Sequence, residues 1–290
     1  AMALKQIGNP SDQRKLIEKA SKFEFAKKFW KQNFINGMLT STGTPLINFT
    51  SGVYFTLAQP IERLVAAGAG ILSNSGNKVY FGESLAMLSG AASAFKEALV
   101  LSAKTYAKNE SQYHADLKKK GTAVEGSQQY GKIEVNTNFD AKDYGFEGKL
   151  ASGLNWYSTL QGLLGNRVLL MQDDFFKAIG YRMELHALAY RKGAAHEAEM
   201  LKTMNAKDAH EAGLKVQIDT INNPPEDIDM DAQDFATVLT FQKKLDGAAG
   251  DLAHIINDNL FLKTMIPFVT TPTNIVIEGL KRSPFALVTP

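Results

Sequence analysis

The sequence contains no cysteine at all. That excludes disulfide scaffolds, thiol nucleophiles and cysteine-based zinc sites together, and it suits a protein made in a reducing cytoplasm. A surplus of one charge is missing too: 32 Lys and Arg stand against 30 Asp and Glu, a net of +2. A dedicated nucleic-acid binder carries a clear basic excess, so net charge does not support that role. No basic segment followed by a short apolar core is visible near the start. Internal repeats and low-complexity tracts are absent as well.

What is there is a chain of 290 residues, 44% hydrophobic and 21% charged, enough for a sizeable core in one large or two ordinary domains. The opening Ala-Met-Ala resembles a cloning remnant. The proline-containing stretch from Leu280 to Pro290 stops without helix-ending logic, so a fragment of a longer protein is expected.

Charge is unevenly placed. Residues 5–31 carry Lys5, Arg14, Lys15, Lys19, Lys22, Lys27, Lys28 and Lys31 against Asp12, Glu18 and Glu24, whereas 219–234 hold acids and no base. Solvated helix faces explain both runs. The sharper alternative makes Lys22, Lys27, Lys28 and Lys31 a contact for an anionic membrane or a partner protein. From Gln32 to Asn77 the only charges are Glu62 and Arg63. Gly, Ser, Thr, Asn and Pro60 interrupt this stretch too often for a simple span of about 20 apolar residues. It reads as buried helix, with a membrane-inserting hairpin broken at Pro60 as the alternative.

Periodicity predicts a mostly α protein, a multi-helix bundle. A basic amphipathic helix is expected over 11–36, stopped at Gly37 and followed by a turn at Ser41–Pro45. A second helix over 83–107 has Leu85, Leu88, Ala92, Phe95, Leu99 and Ala103 on one apolar stripe. Residues 108–150 then turn polar and Gly-rich, an insert or arm with room for one β-hairpin around Lys132–Asn136. Helix resumes over 151–170 and again over 173–205, with Asp173 or Asp174 as N-cap and Phe176, Ile179, Met183 and Tyr190 facing inward. Further helices are expected over 206–220 and 231–262. Domain organisation follows as 1–107, 108–150 and 151–290.

Of His114, His186, His196, His210 and His254, no two lie three or four residues apart, the spacing a helical zinc site uses. Asp227, Asp229 and Asp231 begin like a calcium loop, but Ala232 and Val238 stand where the glycine and the bidentate acid belong. An acidic helix start explains them. Gly68-Ala69-Gly70 lacks Walker spacing, and no nucleophile elbow is present. The reading is therefore of a non-enzyme without catalytic residues, cofactor or metal.

Three stretches carry a resemblance. Residues 34–65 (FINGMLTSTGTPLINFTSGVYFTLAQPIERLV), 172–197 (QDDFFKAIGYRMELHALAYRKGAAHE) and 266–284 (IPFVTTPTNIVIEGLKRSP) follow one another in this order. Together they resemble a region shared by phage large polyvalent proteins and the internal virion, or ejection, proteins of tailed bacteriophages. The Pro-Phe-x-x-Thr-Pro-x-Asn run at Pro267–Asn274 is the most specific part. The resemblance implies a structural and delivery module inside the virion, carried with the genome into the host envelope or cytoplasm. Sister virion proteins or self-association supply its partners, and an anionic membrane is a second candidate. The alternatives are a membrane-active binding module and a non-catalytic part of a larger phage enzyme.

Overall fold

The computed structural model describes residues 43–72, 79–120 and 140–241, with the isolated positions Asp251, Ile255 and Ile277. The fold is mostly α, and no strand occurs among the described residues. In chain order the helices are α1 (Gly43–Leu72), α2 (Phe81–Lys108), α3 (Gln112–Lys120), α4 (Gly148–Gln161), α5 (Arg167–Met200), α6 (Ala206–Asn222) and α7 (Glu226–Leu239). A 3-10 turn spans Ala141–Tyr144, and a π-helical segment, Gly162–Asn166, joins α4 to α5.

α5 is the central post, with α2, α6 and α7 packed along it and α1 laid across α2 and α5. Its inward stripe is the predicted one: Phe176, Ile179 and Met183 are buried, and Tyr190 is half-buried. Ile179 and Met183 belong to the main core with Met87, Ala94, Ala98, Tyr113 and Ala236, and Phe176 packs against Phe49. At the α5–α6 crossing Gly193 and Gly213 face one another, and a Cβ on either would come within 3 Å of the other's carbonyl oxygen.

α2 lies within a residue or two of its predicted bounds, and its apolar stripe faces away from the core. The large stripe points outward: Leu85 is 70% exposed and Phe95 53%, with Leu88 and Leu99 also in solvent. Ala86, Met87, Gly90, Ala94 and Ala98 form the buried face. Small side chains let the two backbones approach, and at Gly90 a Cβ would sit 2.4 Å from the Arg182 carbonyl oxygen. Among the described residues α2 is also the helix long and apolar enough to cross a membrane by length and composition. Its first turn nevertheless holds the fully buried Glu83.

α1 overturns three further expectations. Gly43, Thr44 and Pro45 begin the helix rather than ending a turn, and proline is tolerated in a first helical turn, where its missing N–H has no partner to lose. The helix runs unbroken through Pro60, so no hairpin forms there. An interior proline costs about 3 kcal/mol, and here Pro60 is buried while Arg63 anchors the following turn. Nor is α1 core: Leu46, Ile47, Tyr54, Leu57 and Ile61 are each at least 60% exposed.

The described ends of the polar 108–150 stretch are helical. α3 packs under α2 and α5, and Ala141 buries against Ala151 of α4. Residues 132–136 lie outside the described residues, as do the helix expected at 11–36 and the Pro267–Asn274 run. α7 begins at Glu226, five residues earlier than expected, and Thr240 and Phe241 leave the helix, Phe241 with φ 55°.

A buried polar layer as candidate functional site

The gap predicted before Asp173 does not exist. Helical structure is continuous from Gly148 to Met200, so neither Asp173 nor Asp174 starts a helix. Asp174 caps a different one. It is fully buried and accepts from the Thr105 hydroxyl (2.5 Å), the Ser111 hydroxyl (2.6 Å), and the N–H groups of Gln112 (2.8 Å) and Tyr113 (3.2 Å). Those two amides open α3, where free N–H groups and the helix dipole favour an anion. One turn further along α5, Lys177 is 1% exposed, with its Nζ 2.7 Å from Asp173 and 3.2 Å from His114 Nε2. A lysine ammonium only donates, so Nε2 accepts and the imidazole proton sits on Nδ1, which is buried without a partner. Burial, reinforced by Lys177, pulls the His114 pKa down to about 3.

Next to this group, Tyr181 donates to Asp229 (2.5 Å), and the Gln233 amide donates to the other Asp229 oxygen (2.8 Å). Asp229 thus serves α7 and α5 at once. The Tyr113 hydroxyl has no partner, and burial, followed by Tyr181 and Asp229, raises its pKa well above the usual phenol value. Burial and the bond to Asp229 push Tyr181 upward as well.

A second layer joins α1, α2 and α5. Arg191 clamps Glu83 in bidentate fashion, Nε to one oxygen at 2.9 Å and Nη2 to the other at 2.7 Å. Glu83 also accepts from the Tyr80 N–H at 2.9 Å, tying down the start of α2. Arg63 lies 3.6 Å from Glu83 and donates to Glu184. Two cations meet two anions, and the set is neutral. The bond to Glu83 holds the Arg191 guanidinium above its ordinary value.

These arrangements bind helices to each other, each carboxylate taken up by donors of the fold. A groove of about 410 Å³ lies along α2 and α3, lined by Ser93, Lys96, Glu97, Val100, Lys104 and Asp116 among others, and it includes none of the buried carboxylates. No three His, Asp or Glu side chains among the described residues are placed to hold a metal ion.

The contact lysines Lys22, Lys27, Lys28 and Lys31 lie outside the described residues, as does His254. His210 pairs with Glu197 at 3.1 Å on the surface, and His186 is half-buried beside Arg182. Asp227 and Asp229 stand in the first turn of α7, as an acidic helix start requires. Sequence reading missed the roles of Asp174, Glu83 and Glu184. A partial signal existed for Glu83, which sits three residues after Tyr80 in capping-box position. The chain matches no family model, no curated protein and no solved structure.

Proposed function

We propose that this chain is a non-catalytic, helical assembly module of a tailed-phage internal virion, or ejection, protein. One observation carries the assembly part of the reading. Asp174 and Glu83 are spent inside the fold on donors from other helices, while the large apolar side chains of α1 and α2 stand in solvent. Monomeric surfaces rarely leave such stripes uncovered, and contiguous apolar patches mark interaction sites. The phage part rests on the resemblance of residues 34–65, 172–197 and 266–284. Helices with mainly local contacts also suit a protein that must refold quickly after delivery.

On this reading the partners are sister virion proteins or further copies of the chain, and the module travels from the virion interior into the host. Mass spectrometry of purified particles tests it. Peptides of this chain at a fixed copy number per virion are the expected result. Their absence from particles, with the protein abundant in infected cells, overturns it.

A further inference from the structure

α1 has two unlike faces. The inner one holds Phe49, Gly52, Phe55, Pro60, Arg63 and Ala67. The Phe49 and Phe176 ring centroids are 5.7 Å apart, and those of Phe55 and Phe241 4.7 Å. Gly52 passes so close that a Cβ would lie 2.3 Å from the Phe176 ring. On the outer face Ile47, Thr50, Tyr54, Leu57, Ile61 and Leu64 recur at alternating steps of three and four. That is a seven-residue repeat with a and d positions filled, the spacing of a seam that meets another helix. Yet Ile47 and Tyr54 are 66% exposed, Leu57 60% and Ile61 63%.

We propose that this seam packs against the α1 seam of a second copy of the chain, forming a two-fold dimer. The inference rests on the assembly reading and names its partner and surface. Exposure supports it: all five apolar seam residues, Ile47, Tyr54, Leu57, Ile61 and Leu64, stand in solvent along one side of α1. Charge supports it as well. The only charged residues of α1 are Glu62 and Arg63; Glu62 lies one step past Ile61, off the seam, and Arg63 turns inward to Glu83 and Glu184. Two such seams therefore meet without like-charge contact, and a two-fold contact requires a surface that fits itself. The outer stripe of α2 is less suited, because the exposed charges Lys96, Glu97 and Lys104 stand along it, whereas Glu62 is the one exposed charge of α1. A bilayer is the weaker occupant, since α1 offers no lysine for anionic headgroups.

Analytical ultracentrifugation of the full chain on the order of 50 μM, above the micromolar end of the affinities that specific interfaces show, is the test. The expected result is a dimer that becomes monomeric in Leu57→Lys/Leu64→Lys while the circular dichroism spectrum is unchanged. Both residues are exposed, so the substitutions leave the core intact. The cysteine-free background also permits Leu57→Cys, whose thiol should react slowly in the dimer. A monomer, or a dimer indifferent to the double substitution, overturns the proposal. In a monomer, a slow Leu57→Cys thiol would show the seam covered by another part of this chain, and co-sedimentation with anionic vesicles would name a bilayer. A monomer found in virions sinks the dimer alone, whereas a dimer absent from virions sinks the phage reading alone.

Discussion

At the scale of single residues the clearest consequence belongs to His114. Its imidazole titrates near 6.5 in an unfolded chain and at about 3 in the fold, where burial and Lys177 both oppose the charge. Between those values the unfolded state binds the extra proton. The contribution is therefore present in full above 6.5 and is lost as pH falls toward 3. Stability should drop by roughly 1.4 kcal/mol per unit between about pH 6 and pH 4 from this group. His114→Gln keeps an acceptor for Lys177 and removes the titration, so urea midpoints across a pH series should flatten. A residual slope of the same sign is expected from His186, whose pKa burial and Arg182 also lower. An identical slope in the variant would show that His114 is accessible to protons in the fold.

Helix α2 supplies the test at the scale of elements. Its inner face is built from small residues so that the α5 backbone can come close, and its outer face carries bulk that is mostly in solvent. Gly90→Ala improves helix propensity by about 1 kcal/mol yet drives a Cβ against the Arg182 carbonyl. Overpacking of this kind costs 1–3 kcal/mol or somewhat more, about 2 net of propensity. Leu88→Ala removes a far larger group from the exposed face and should change stability by no more than about 0.5 kcal/mol. Chemical denaturation of the two variants should thus rank them against residue size. The opposite order would mean that α2 is turned the other way.

For the whole molecule the decisive feature is the ionic layer that ties α1 to α2 and α5. Glu83 is fully buried, whereas Arg63 and Arg191 retain 18% and 35% side-chain exposure. Glu83→Gln leaves two guanidinium groups with one carboxylate, Glu184, while its amide oxygen can still accept from the Tyr80 N–H. Breaking a buried pair on one side costs about 3 kcal/mol. Among the described residues α1 is otherwise held by the rings at Phe49 and Phe55 and by the bond from Gln172 to the Pro45 carbonyl (3.2 Å), so this layer carries much of its attachment. Limited proteolysis of Glu83→Gln should therefore cleave within α1 first. Cleavage spread evenly over the chain would contradict this picture.

Much of the helical framework was legible from local spacing alone. The three- and four-residue steps of Phe176, Ile179 and Met183 identify an inward stripe, and Asn205 and Pro224-Pro225 bracket α6. The acids at 226–229 suit the start of α7, which lies five residues ahead of the expected one, because helix N-termini favour negative charge wherever they occur. Periodicity reports that a helix has an apolar side, but not which of two apolar sides meets the rest of the protein. On α2 that choice went to the small residues, since α5 could approach them closely. Asp174 shows the same limit. Next to Asp173 and ahead of an apolar stripe it has the sequence signature of a cap for its own helix, and it does cap a helix, one whose first amides lie 62 residues earlier in the chain. Local propensity determined that these segments are helical and that an acid belongs at a helix start. Tertiary packing alone decided which start, because a buried carboxylate is stable only where several donors from separate segments converge on it.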